Sequence, residues 1–328
     1  VAMFDLTPFA KFEVTGPGAL KYLQDICTNQ MDKPIGVITY TSMLTPAAGI
    51  KCDLTVTRLD EDRFLIVTGS AMGLHDLGWM NSHLPADSSV KVTDVSADFC
   101  CIGLWGPRAR YLLRSICLND LGNNEFPYMT SREILIEGIP VLALRISYVG
   151  ELGWELYGPM GQGLELWDIL WKAGELLDVV AAGGGAFDSL RLEKGYRLWG
   201  NDIHTEYNPD EAGSGFTAKM DKDDFIGKEA LEQIRVAGLK RKLCCLILDD
   251  PSAVVMGKEP ILDGDNVLGY VTSANYGYSI GCGIVYAYLP IDYAGIGTKI
   301  DIMYFGKFLK ATVSKEPLYD PRNYKLNA

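Results

Sequence analysis

KFEVTGPGALKYL (residues 11–23) and CIGLWGPRARYLL (101–113) follow one plan: a strand-like apolar run, Gly-Pro, a small residue, then an amphipathic helical stretch. Proline fixes φ, so Gly-Pro favours a turn at which a strand hands over to a helix. The two copies start 90 residues apart (11 to 101), too far for a solenoid repeat. They predict two related α+β units interleaved in one body.

The texture around the copies agrees. DLTVTRL (53–59) and RFLIVTG (63–69) are β-branched runs joined by a charged turn, and GLHDLGWMNSHL (73–84) has helical spacing. In the second copy, EILIEGIPVLALRISY (133–148) and GWELYGP (153–159) read as strands. Helices are expected over 163–177 and in AFDSLRLEKGYRLWG (186–200), followed by the loop NDIHTEYNPDEAG (201–213). From about Leu243, short strands separated by Gly, Asp and Pro predict a small all-β barrel. The expected boundaries are 1–45 with 98–225 for one α+β domain, 46–97 for a second, and 226–328 for the barrel domain.

Composition narrows the function. The chain is 48% hydrophobic and 22% charged, as globular proteins are, and at 328 residues it is long enough for two or three domains. A net charge of −12 argues against nucleic acid as a partner, and no apolar run is long enough for a helical membrane span. Eight cysteines are scattered, with vicinal pairs at Cys100–Cys101 and Cys244–Cys245. Strand neighbours point to opposite faces, so neither pair predicts a disulfide or a metal clip. A reducing compartment is expected: cytoplasm in a bacterium, mitochondrial matrix in a eukaryote. Val1 stands where Met would open a complete frame, so a fragment or processed subunit is expected.

Three stretches can carry chemistry. In RISYVGELGWELY (145–157), alternation puts Trp154 and Leu156 on one face and Glu155 and Tyr157 on the other. Glu155 then faces either water or a cavity, and Glu151 falls in the turn. In TPAAGIKCDLTVTRL (45–59), Asp53 opens a β-branched run, either as a strand cap or as a fixed base. In SLRLEKGYRLWGND (189–202), Arg191, Lys194 and Arg197 form a basic stripe that either pairs with surface acids or binds a carboxylate. AAGGG (181–185) lacks the GxGxxG spacing of a dinucleotide loop.

Together FDLTPFAKFEVTGPGA (4–19), SMLTPAAGIKCDLTVTRLDEDRFLIVTG (42–69), RISYVGELGWELY, LRLEKGYRLWGNDI (190–203), DFIGKEAL (224–231) and EPLYDP (316–321) resemble the folate-binding aminomethyltransferase (glycine-cleavage T-protein) superfamily. Within it they are most similar to the C-terminal half of dimethylglycine and sarcosine dehydrogenases and oxidases. The resemblance implies a three-domain, cloverleaf-like α+β fold with tetrahydrofolate in a central channel. It implies Asp53 as the catalytic acid near folate N10, Tyr148 and Glu155 at the pterin, Arg191 near the folate tail, and Trp199 as a further folate contact.

The implied activity is capture of an iminium or formaldehyde unit, released from an N-methylated glycine, as 5,10-methylenetetrahydrofolate. Alternatives are a stand-alone aminomethyltransferase or folate-dependent demethylase, or a regulatory member without catalysis. Cys52–Asp53 stands where the T-protein branch commonly has two aspartates; Val149 and Gly69 also depart from it. These differences lean toward the amine-dehydrogenase branch, whose FAD would sit on a missing segment or partner subunit.

Overall fold

A computed structural model describes residues 1–328. The first unit contains β1 (Ala2–Asp5), β2 (Ala10–Thr15), α1 (Ala19–Ile26), β3 (Ile38–Leu44), β4 (Ile50–Asp60), β5 (Arg63–Thr68) and α2 (Gly73–Ser82). The second repeats the order with β6 (Lys91–Asp94), β7 (Phe99–Trp105), α3 (Ala109–Ile116), β8 (Ser131–Ile136), β9 (Ile139–Leu144), β10 (Gly153–Pro159) and α4 (Gly163–Gly174). After it come β11 (Val180–Ala181), α5 (Gly184–Glu193) and α6 (Lys228–Ala237).

The Gly-Pro turns are equivalent in the two units. Gly16 (φ +114°) and Gly106 (φ +138°) take backbone conformations that disfavour a side chain. Each offers its carbonyl to the first helical alanine, Ala19 N–H to Gly16 at 2.9 Å and Ala109 N–H to Gly106 at 3.0 Å. Both alanines are fully buried.

The units exchange their first strands. β1 pairs antiparallel with β7, while β6 pairs antiparallel with β2. The crossing segments are held by matching bonds: Cys101 N–H donates to Thr7 Oγ1 at 3.1 Å, and Lys11 N–H to Ser96 Oγ at 3.0 Å. Asp5 and Asp94 each accept a backbone N–H two residues on, from Thr7 and Ser96, at 2.9 Å. The resulting sheets run β3-β4-β5-β2-β6 and β11-β1-β7-β10-β9-β8. Helices cover their outer faces, and their inner faces meet in one core that includes Phe4, Leu65, Val67, Cys101, Trp105 and Tyr157. Cys100 and Cys101 duly point into different cores.

The boundary expected at residue 45 is corrected. β2 and β3 are hydrogen-bonded into the sheet of β4 and β5, so the segment with its own sheet is 10–94 rather than 46–97. The barrel closes in the order β12 (Arg241–Leu248), β15 (Cys282–Pro290), β14 (Asn266–Gly277), β13 (Pro260–Asp263), β16 (Lys299–Tyr304), β17 (Lys307–Ser314). α6, placed with the barrel by the sequence pattern, instead buries Leu231 against Leu44, Ala48 and Ile50. The residues beyond β17 run back to the second unit, where Asn123 and Arg110 bond the carbonyls of Asn327 and Ala328.

Gly16→Ala tests the turn, because the added Cβ would lie 2.3 Å from the Ser89 carbonyl oxygen at a φ foreign to alanine. The expected loss is about 1–3 kcal/mol, read as a lower urea midpoint. An unchanged midpoint would show that the turn carries no such constraint.

Candidate functional site

Strand alternation along β10 holds. Trp154 and Leu156 enter the helix-side core, and Tyr157 enters the core between the sheets. Because a second sheet covers that inner face, Glu155 is not wet: it is 5% exposed. One oxygen accepts from the Tyr157 hydroxyl at 2.6 Å. Burial pushes the Glu155 carboxyl up to about 7, against the opposing pull of that hydrogen bond.

Asp53 lies on β4, with Cys52 and Leu54 turned into the helix-side core. Its half-buried side chain accepts from the Tyr40 hydroxyl at 2.9 Å. Surrounding protein pushes the Asp53 carboxyl up to about 6, the Tyr40 bond opposes this, and the charge of Asp76 adds to it. Asp76 is fully buried under the same sheet, bonded by Thr68 Oγ1 at 2.7 Å and facing His75 Nδ1 at 2.8 Å.

Half-buried tyrosines connect the two acids. Burial raises the Tyr128 phenol, Tyr196 opposes the rise and the charge of Glu155 adds to it. Tyr196 stacks on Tyr148 at 5.7 Å, and Tyr148 packs on Phe187 at 4.9 Å. Tyr148 fixes its hydroxyl on the Arg197 carbonyl oxygen at 2.5 Å. Burial raises its phenol well above the usual range, and Asp53 adds to the rise. At the outer end, Phe216 (66% exposed) packs near Tyr40 at 6.3 Å. The arrangement is an aromatic wall with a proton-accepting acid at each end, both poised near neutrality.

The basic stripe does something else. α5 stops at Glu193, and Gly195 turns the chain at φ +74°, so Arg197 and Trp199 lie beyond the helix. Arg191 is 1% exposed and makes four hydrogen bonds to protein, with Asp188, Asp202, the Tyr196 carbonyl and Ser273, while its Nη2 also stands 2.8 Å from Asp188. These bonds hold α5, the 196–202 segment and β14 together. Arg197 makes a bidentate pair with Glu316 at 2.8 and 3.0 Å, and Lys194 bonds Asp320. All three cations thus clamp the chain around the tyrosine wall.

One more expectation changes. Glu151, read as solvated in its turn, accepts from the Tyr319 hydroxyl and has its other oxygen buried. Trp199 packs on His75 at 5.3 Å and donates to the Ile50 carbonyl at 3.4 Å. Tyr40, Tyr128, Tyr196 and Phe187 escaped the sequence reading. Tyr40 carried one usable signal, since β3 and β4 pair Ser42 with Asp53 and so bring Tyr40 and Asp53 to one face.

Two interleaved α+β units and a closed barrel define the fold class. Family models agree: the GCVT N-terminal domain matches residues 1–222, and the glycine cleavage T-protein C-terminal barrel domain matches residues 241–320. The chain belongs to this folate-dependent aminomethyltransferase family. It is 36% identical over 320 residues to human mitochondrial dimethylglycine dehydrogenase, covering 97% of this chain and 37% of that protein. It is 32% identical to an aminomethyltransferase of Symbiobacterium thermophilum, covering 97% of this chain and 86% of the relative. The glycine cleavage system aminomethyltransferase T of Bartonella henselae has the same fold, with a TM-score of 0.88 at 27% identity over 97% of this chain and 86% of its own. The chain thus spans little more than a third of the dehydrogenase it matches.

The raised Glu155 acidity has a stability consequence. The folded protein keeps this proton up to about pH 7, whereas an ordinary glutamate loses it near 4.5. Stability therefore falls as pH rises through that window and is flat above it, by about 3 kcal/mol from this group. In Glu155→Gln this component should vanish from urea unfolding measured between pH 4 and 8. An identical pH profile in both proteins would mean that Glu155 ionises normally.

Proposed function

We propose that the chain is a tetrahydrofolate-dependent one-carbon transferase module. It captures the iminium or formaldehyde unit from oxidation of an N-methylated glycine or related amine as 5,10-methylenetetrahydrofolate. The observation that carries the reading is the wall from Glu155 through Tyr128, Tyr196 and Tyr148 to Asp53 and Tyr40. A reduced pterin fits it chemically: it has a flat ring for aromatic walls and an N–H-rich edge for a buried carboxylate. Bound tetrahydrofolate supplies the N5 and N10 amines that take up one carbon.

The chain's own residues have separable tasks. Glu155, restrained by Tyr157, would accept the pterin edge, and that partner would offset the cost of its burial. Tyr148 and Tyr196 would hold the ring plane, so the reacting amine is positioned before the one-carbon unit arrives. Asp53, restrained by Tyr40 and poised near 6, would take up the proton released as the nitrogen bonds to carbon. Cys52, 2% exposed on the opposite face, leaves a single acid here, which favours the amine-oxidation branch over a lipoyl-dependent aminomethyltransferase. An FAD-bearing oxidase segment or subunit outside these residues would release the one-carbon unit. The similarity to dimethylglycine dehydrogenase and to the 4-methylaminobutanoate oxidase (formaldehyde-forming) of Paenarthrobacter nicotinovorans, 36% identical, supports this branch.

Titration with tetrahydrofolate should quench intrinsic fluorescence saturably, and Glu155→Ala should weaken the apparent Kd by tenfold or more, about 1.4 kcal/mol. Unaltered affinity in a folded Glu155→Ala protein would remove Glu155 from the site. With formaldehyde as donor, Asp53→Asn should slow methylenetetrahydrofolate formation by about 10²-fold or more while leaving the Kd within a few-fold. A wild-type rate in that variant would refute the role of Asp53.

A further inference from the structure

Ser42 and Asp53 are directly opposed across β3 and β4, and β3 is the edge of its sheet. Ser42 uses its backbone on the other side. Its N–H donates to Thr28 Oγ1 at 3.3 Å, and its carbonyl accepts from the Thr28 N–H at 2.9 Å. The pair with Asp53 is therefore of the non-hydrogen-bonded kind, in which side chains come closest, with Cβ atoms about 4.5–5.5 Å apart. Opposed residues share a face of the sheet, so the Ser42 hydroxyl and the Asp53 carboxyl stand side by side. Tyr40, two residues before Ser42 on that face, reaches the same carboxyl at Oδ2.

Ser42 is 1% exposed, and its Oγ is buried without a hydrogen-bond partner in the protein. Native proteins rarely leave a hydroxyl in that condition. Asp53 Oδ1 in turn is bonded by no other residue. The charged and titratable groups around Asp53 are Tyr40 on β3, Lys51 on β4, Asp76 beside His75 on α2, and Tyr148 and Arg197 from the loops that face the sheet. Burial holds the Asp53 carboxyl at about 6 while the Tyr40 bond pulls it down, and a second donor would pull the same way. An ionised carboxylate accepts at both oxygens, whereas a protonated one donates from one of them. A serine hydroxyl turns about a single bond and can meet either state.

We propose that Ser42 is a positioning residue for Asp53: its hydroxyl turns onto Oδ1 when the carboxyl is ionised and, with Tyr40 on Oδ2, holds both oxygens in place. This role rests on that of Asp53 as the acceptor of the proton released when nitrogen bonds to carbon. Held at both ends, the carboxylate cannot swing away before the proton arrives. Once Asp53 carries that proton, the same hydroxyl can accept from it. No covalent bond to Ser42 forms or breaks.

Carbon-13 NMR of the full chain labelled at its aspartate carboxyls reads Asp53 directly, its signal being the one lost in Asp53→Asn. Ser42→Ala, and Ser42→Cys with its poorly donating thiol, should each move the Asp53 midpoint upward by about 0.5–1 pH unit. Ser42→Thr keeps the hydroxyl and should leave the midpoint in place. The acidic limb of kcat/KM for methylenetetrahydrofolate formation should move by the same interval, with the Kd for tetrahydrofolate within a few-fold of wild type. A purely structural role would lower Tm and leave the midpoint where it was. A wild-type midpoint in Ser42→Ala, or an equal rise in Ser42→Thr, would overturn the proposal. The titration needs no folate, so failure of the wild-type chain to bind tetrahydrofolate would refute the folate reading while the Asp53 midpoint still decides the role of Ser42.

Discussion

The molecule depends on the exchange of β1 and β6 between its two α+β units. Each unit lacks the strand that completes its sheet and receives it from the other. Thr7 and Ser96 lock the crossing by satisfying backbone donors that no ladder reaches. Buried backbone groups must be paired, so the exchange fixes how the sheets face each other. One inner face is thereby turned toward the other, and the space between them becomes interior.

That enclosure sets the acidity of both carboxyls. A carboxylate on a solvated strand face would titrate normally, but Glu155 and Asp53 are held by hydroxyls and surrounded by protein. Desolvation raises both toward neutrality, and their tyrosine partners limit the rise. Each acid can then carry or release a proton near physiological pH. The barrel and the return segment contribute by closure. Glu316 and Asp320 hold Arg197 and Lys194 from across the chain, which keeps the 194–199 segment against Tyr148.

Much of this was legible in the chain. The doubled strand–Gly-Pro–helix pattern is local chemistry, since turn residues and apolar spacing report directly on backbone geometry. Parity along β10 separated Trp154 from Glu155 correctly. The meaning of LRLEKGYRLWG was not legible. Three cations at helical spacing look the same whether they face water or buried acids. The partners that decide the matter for Arg191 lie 11 and 82 residues away. The boundary at residue 45 failed for a related reason, because strand pairing is a long-range property that composition does not record.

By itself, then, the sequence determined the elements, the duplication, the barrel and which side chains share a strand face. These follow from backbone propensities and a period of two or 3.6 residues. Tertiary structure alone decided which face is dry, which acids are pushed toward neutrality, and which arginines are paired with buried acids. Burial and charge pairing depend on what arrives from elsewhere in the chain, and only the folded arrangement of both sheets and the barrel specifies that.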